Sequence, residues 1–145
     1  MALSDEERDL IRSSFRLAAR NRREAAARFY EILFEQAPEA RALFVNDLEQ
    51  QGAELMSKLG LIVAELQNIQ GLVPVLEDLA LRHVAYGVKP EHYAPVGVAL
   101  VEMLAESVGD DFTPQTRAAW TKAYAELSEL MIRSAYIHER PLTTL

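Results

Sequence analysis

No cysteine occurs among the 145 residues, which excludes disulfides, thiolate nucleophiles and cysteine-bound metals and fits a reducing compartment. Glycine is scarce. Its six positions (Gly52, Gly60, Gly71, Gly87, Gly97 and Gly109) form no dinucleotide-binding fingerprint. No stretch approaches the roughly 20 apolar residues of a membrane helix, and no run alternates apolar with polar residues as a half-buried strand would. The opening Met1-Ala2-Leu3-Ser4-Asp5-Glu6-Glu7 is acidic where a signal peptide would be basic and then apolar. Positive charge is also in deficit: the formal net charge is −7, which argues against a nucleic-acid partner. Arginines do gather near the start (Arg12, Arg16, Arg20, Arg22, Arg23, Arg28), but Glu6, Glu7, Asp9, Glu24 and Glu31 are interleaved with them, as on a solvated face of mixed sign. These exclusions leave a soluble, cytoplasmic protein expected to form one domain over residues 1–145.

Helical periodicity is what the chain has in abundance. Ser4-Asp5-Glu6-Glu7 reads as a capping box ahead of Leu10, Ile11 and Phe15, and Asn21-Arg22-Arg23 breaks this first helix. A second helix is expected from about Arg23 to Gln36, with Ala26, Tyr30, Leu33 and Phe34 inward. Pro38 opens a short turn to Leu43, and Phe44-Val45-Asn46-Asp47 is a connector. The third helix, about Leu48 to Leu66, carries the stripe Gln51, Leu55, Leu59, Ile62, Leu66 and is closed by Asn68-Ile69-Gln70-Gly71. The next has Pro74 in its first turn and stops at Gly87. Lys89-Pro90-Glu91 begins a helix whose stripe is Tyr93, Val96, Leu100, Met103 or Leu104, and Val108. Gly109-Asp110-Asp111 turns into a final helix, capped by Thr113-Pro114, with Trp120, Tyr124, Leu127 and Met131 on its inner face. Residues 1–3 and the tail from about His138, which contains Pro141, are expected to be frayed. The fold class is all-α.

Three polar residues break the apolar stripes. His83 shares a face with Leu76, Leu79 and Ala80, and Tyr30 and Gln51 stand on inward faces of their own helices. A buried phenol or carboxamide without a partner costs about 1–3 kcal/mol, so each needs something to bond. Two readings follow. Either each residue meets a loose backbone carbonyl, or the three line one polar pocket inside an apolar helical shell. His92 and His138 read as solvated, and Trp120 and Met131 as core.

Phe29-Tyr30-Glu31-Ile32-Leu33-Phe34, then Pro38-Glu39 and Phe44, then Gln51-Gly52 with Leu55 and Leu59-Gly60, then Arg82-His83 with Tyr86-Gly87-Val88, follow one another in an order and spacing that resembles the globin family. The resemblance runs from about Leu3 to Tyr136 and is strongest to single-domain bacterial haemoglobins and the haem domain of flavohaemoglobins. It implies a three-over-three helical sandwich around a buried haem b, iron protoporphyrin IX. By position, His83 matches the proximal iron ligand, Phe44 the phenylalanine packed on the porphyrin, Gln51 the distal residue, Leu55 the apolar residue one turn later, and Tyr30 the distal tyrosine. Leu79 and Val88 would border the ring, and Arg82 either contacts a propionate or is a surface arginine. Gly52 and Ala26 match a pair of small residues where two helices cross. Tyr93 matches a tyrosine that in flavohaemoglobins joins a glutamate in bonding the proximal imidazole. The glutamate's position holds Ala135, so that carboxylate is missing here.

The resemblance implies a five-coordinate ferrous iron with its sixth position open to O₂, NO or CO. Hydrogen bonds from Tyr30 and Gln51 to a partly charged ligand, worth about 1.5–3 kcal/mol each, would favour tight O₂ retention. Expected functions are O₂ binding for storage or transport, or nitric oxide dioxygenation (NO to nitrate, a detoxification). The second needs electrons from an external reductase, since no flavin or nicotinamide segment is recognisable in these residues. A haem-sensing or haem-free regulatory globin is the remaining class.

Overall fold

The computed structural model describes residues 3–44, 47–85 and 87–144, without the side chains of Ile69, Gln70 and 134–144. Six α-helices make up the architecture: α1 (Asp5–Ala18), α2 (Arg22–Gln36), α3 (Leu48–Ala64), α4 (Ile69–Ala85), α5 (Tyr93–Val108) and α6 (Pro114–Thr144). Among the described residues there is no strand.

Each start is written locally. The Ser4 hydroxyl accepts from the Glu7 N–H at 3.1 Å while the Glu7 carboxylate accepts from the Ser4 N–H at 2.8 Å, the expected capping box. Asp47 caps α3 through the Glu49 N–H at 3.0 Å, and Thr113 caps α6 through the Thr116 N–H at 3.1 Å. Short 3-10 turns join the helices at Ala19–Asn21, Pro38–Leu43, Leu66–Asn68, Pro90–His92 and Gly109–Asp111.

Several expected boundaries move. The break expected at Asn21-Arg22-Arg23 falls earlier, as a 3-10 turn at Ala19–Asn21, and α2 starts at Arg22, since arginine is an adequate helix former. α3 ends at Ala64, and α4 begins at Ile69 directly after the Leu66–Asn68 turn, so Pro74 is the sixth residue of α4 rather than a member of its first turn. A proline there deletes the one N–H that would bond the carbonyl four residues back, at the still weakly bonded head of the helix. Pro90–His92 is a separate 3-10 turn ahead of α5, and α6 continues to Thr144 through Pro141, past the point where the tail reads as frayed.

The core lies where α2 crosses α5 and α3, while α1 packs on α6 and α5, and α4 on α6. Ile11, Leu33, Met56, Leu76, Met103 and Leu104 are the largest side chains wholly withdrawn from solvent. The α2–α3 crossing is close: a Cβ on Gly52 would lie 2.8 Å from the Ala26 Cβ, the small-residue pair expected from the sequence. Gly97 is as tight, since a Cβ there would lie 2.7 Å from the Tyr124 ring. One buried polar pair joins sequence-distant residues. The Trp120 indole donates to the Ser14 hydroxyl at 2.7 Å, which in turn donates to the Leu10 carbonyl at 2.7 Å. Met131, read as core, is only half-buried.

Candidate functional site

The His83 side of the site is built by the last turns of α4. Leu76 and Ala80 are buried there, while Leu79 and His83 on the same face are half-buried. The His83 Nδ1 lies 2.6 Å from the Leu79 carbonyl oxygen. A carbonyl only accepts, so Nδ1 carries a proton, and in the neutral imidazole it is Nε2 that keeps the lone pair. That is the arrangement of a metal-binding imidazole whose orientation is held by a backbone acceptor. The backbone is pinned at the same residue. The Val88 N–H donates to the His83 carbonyl at 2.9 Å and the Gly87 N–H to the Val84 carbonyl at 3.0 Å. Gly87 has φ +88°, so the paired bonds form a Schellman cap whose outer bond closes on the histidine itself. The sequence places glycine at the position of this cap where a side chain would be strained.

Past this cap, the Tyr93 ring lies 6.2 Å from the imidazole, tilted by 32°. The Tyr124 hydroxyl donates to the Tyr93 carbonyl at 2.6 Å, and Gly97 leaves room for the Tyr124 ring. Tyr124 thus anchors the start of α5, a link the sequence reading missed. Its signal was glycine four residues after Tyr93, on the face that α6 covers. His92 also departs from expectation. It is half-buried, and its Nδ1 accepts from the Lys89 N–H at 2.9 Å, satisfying a donor at the head of the Pro90–His92 turn. Arg82 is exposed and pairs with Asp78 at 3.0 Å on its own helix. Tyr86 lies outside the described residues, as do the side chains of Ala135 and His138.

The opposite side comes from α2, the Pro38–Leu43 turn and α3. Tyr30 is 6% exposed. Its ring meets Phe29 edge-on at 5.1 Å, stacks on Phe34 at 6.0 Å and meets Phe44 edge-on at 5.3 Å, while Phe34 and Phe44 are 5.6 Å apart. Burial, and secondarily the Glu54 charge, pushes the Tyr30 phenol up to about 12, so it is a neutral donor at physiological pH. Among the described residues its hydroxyl has no hydrogen-bond partner. The Tyr30 ring edge also reaches to within 3.7 Å of where a Cβ on Gly52 would sit, next to the half-buried Gln51. Phe44, Leu55 and Val96 lean on the core yet stay half-buried, as does Val88. The two sides meet at the turns: Leu43, the neighbour of Phe44, lies 3.5 Å from the Cβ position of Gly87.

Among the described residues no three histidine, aspartate or glutamate side chains converge as a metal cluster. A single imidazole with a free Nε2 suits a metal that brings its other ligands with it. The half-buried apolar residues offer surface to a flat apolar group, and the unsatisfied phenol suits a small polar ligand beside it. The residues present therefore fit a haem.

Fold and residues together define a class, an all-helical packing with a half-buried histidine on α4 and a buried tyrosine on α2. The globin family profile matches residues 27–131, and the chain belongs to the globin family. It is 33% identical over 141 residues to a flavohemoprotein of Rhodopirellula baltica, covering 94% of this chain and 35% of that one. It is 33% identical over 138 residues to a flavohemoprotein of Xylella fastidiosa, covering 92% and 34%. The chain thus spans about a third of the length of these curated relatives. Among solved structures it is similar to an engineered carbene transferase from a proposed nitric oxide dioxygenase of Rhodothermus marinus, at TM-score 0.87 and 29% identity, with 98% and 99% of the two chains covered. A bacterial globin from Campylobacter jejuni matches at TM-score 0.82 and 22% identity, over 94% and 99%, and supports the fold. No helix among the described residues is long and apolar enough to cross a membrane.

Proposed function

We propose that this globin holds a haem b through the Nε2 of His83 and binds O₂ tightly beside Tyr30 and Gln51. When bound, the haem would supply an iron able to take a diatomic ligand. The chain's own residues do the rest. The Leu79 carbonyl holds the imidazole in the tautomer that offers Nε2, and the Schellman cap on the His83 carbonyl fixes its place. Phe44, Leu55, Leu79, Val88 and Tyr93 are assigned to the ring's borders, and Arg82 to a propionate, for which it would have to leave Asp78.

The observation that carries the reading is Tyr30, a residue only 6% exposed whose hydroxyl is neutral and has no partner among the described residues. Such a donor is available to a ligand that accepts from it. O₂ gains negative character on binding and accepts well. Carbon monoxide gains little, so the pocket discriminates between them. Tyr30→Phe is expected to raise the O₂ dissociation rate at least about tenfold, the equivalent of about 1.4 kcal/mol. Stopped-flow kinetics on the oxygenated protein measure this, after absorption spectra of the ferric, ferrous and oxygenated forms. An unchanged rate would remove Tyr30 from the mechanism.

The flavohemoprotein relatives favour a second reading, nitric oxide dioxygenation. Nitric oxide, dioxygen and one electron combine to nitrate, and a reductase, fused or separate, supplies the electron. Strong O₂ retention serves this chemistry, because the pocket stays loaded until nitric oxide arrives. Nitrate formation under air with a flavin reductase and NADH separates the two readings. Nitrate no faster than the NO–O₂ background would leave O₂ storage or transport. A cytoplasmic place of action belongs to the same proposal and rests on the cysteine-free composition.

A further inference from the structure

We propose that Arg41 is a positioning residue for the distal pocket, a clamp that sets Tyr30 in place through Phe34 and Phe44. The inference rests on the functional reading above. Arg41 is exposed on the Pro38–Leu43 turn and has no carboxylate partner among the described residues. Its guanidinium lies over the Phe34 ring, with Cζ 5.4 Å from the centroid, and its Nη1 donates to the Phe44 carbonyl at 3.1 Å. The Phe44 N–H donates back to the Arg41 carbonyl at 3.2 Å. Phe44 is therefore held at both its amide and its carbonyl by one residue. That residue also caps the outer ring of the triangle formed by Phe34, Phe44 and Tyr30.

The planar guanidinium explains why arginine suits this position. It stacks on a ring with its face while its edge donates to a carbonyl, which a lysine ammonium does less well. Without the clamp, Phe44 is free to swing with its turn, and the Tyr30 ring loses the edge that fixes its tilt. The hydroxyl would then spend less time where a ligand can accept from it.

Two readouts test the clamp. In the holoprotein, Arg41→Ala should speed O₂ dissociation roughly fivefold, the size expected for an exposed cation–π contact with one hydrogen bond. Arg41→Lys should recover part of that loss. In a Tyr30→Phe background the same Arg41→Ala change should alter the rate by less than about twofold, since the donor it positions is gone. In the apoprotein, Arg41→Ala should speed hydrogen exchange at the Phe44 amide by roughly fivefold. The clamp is overturned if both rates stay at the parent values, or if Arg41→Ala keeps its full kinetic effect when Tyr30 is absent. Should Tyr30→Phe itself leave O₂ release unchanged, the functional reading fails. Unchanged Phe44 exchange would then sink the clamp separately, and faster exchange would uphold it.

Discussion

The two ends of α5 lie in different kinds of interior. Toward its C-terminal half, Ala99, Leu100, Met103 and Leu104 are buried against α2 and α1, and the chain closes this region by itself. At its N-terminal end, Tyr93 and Val96 are half-buried, together with His83, Leu79, Val88, Phe44 and Leu55 from the neighbouring elements. The first region is a packed core in which every methylene has protein neighbours. The second is apolar without being sealed, and it holds a phenol without a hydrogen-bond partner among the described residues. Polar residues in the first region, Ser14 and Trp120, are paired with each other, whereas the Tyr30 hydroxyl in the second has no such partner among the described residues, which is what the proposed ligand role would use.

The sharpest break of this contrast is His83→Ala, which should abolish stoichiometric haem binding and the proximal iron–nitrogen stretch in resonance Raman spectra. A retained stretch would mean that another residue is the ligand. Leu104→Ala belongs to the closed region, and should cost about 2–5 kcal/mol in denaturant unfolding while leaving ligand kinetics in place. If it changed O₂ release as strongly as Tyr30→Phe does, the two regions would not be separable. Gly97→Ala probes their junction. The added methyl would collide with the Tyr124 ring, so a loss of about 1–3 kcal/mol is expected, together with an altered His83 environment because Tyr124 anchors Tyr93. A loss of stability with an unaltered proximal spectrum would show Tyr124 to be structural only.

The smallest effect is one of pH. Burial raises the folded-state phenol of Tyr30 from 10.0 to about 12, so the stability it contributes is complete below pH 10 and is lost as pH climbs from 10 toward 12. Tyr124 is displaced in the same direction by burial, so both contribute to the alkaline limb. The limb should shrink in Tyr30→Phe and not vanish. Parallel curves for the parent and the variant would show that Tyr30 ionises freely, against its burial.

Six helices, their caps at Ser4 and Thr113, and the stop at Gly87 were legible in the chain, because capping and helical periodicity are local and repeat every few residues. The small pair Gly52 and Ala26 was legible from the family's order of motifs. Bonds between distant residues were not. Ser14 to Trp120 and Tyr124 to Tyr93 depend on how helices cross, and Arg41 over Phe34 on how the Pro38–Leu43 turn folds back on α2, which no periodic pattern encodes. His92 shows the same limit at short range. A histidine three residues after Lys89 is unremarkable as sequence, and only the fold of the turn brings its nitrogen to that amide.

The amino-acid order by itself thus determined the helical class, the single inward histidine and the inward phenol, since a face is set by spacing along one helix. Only tertiary structure decided that the Tyr124 hydroxyl reaches the Tyr93 carbonyl, that the Trp120 indole reaches Ser14, and that Tyr30 finds no partner among the described residues. Those outcomes depend on contacts between elements, where a few tenths of an ångström separate a hydrogen bond from none.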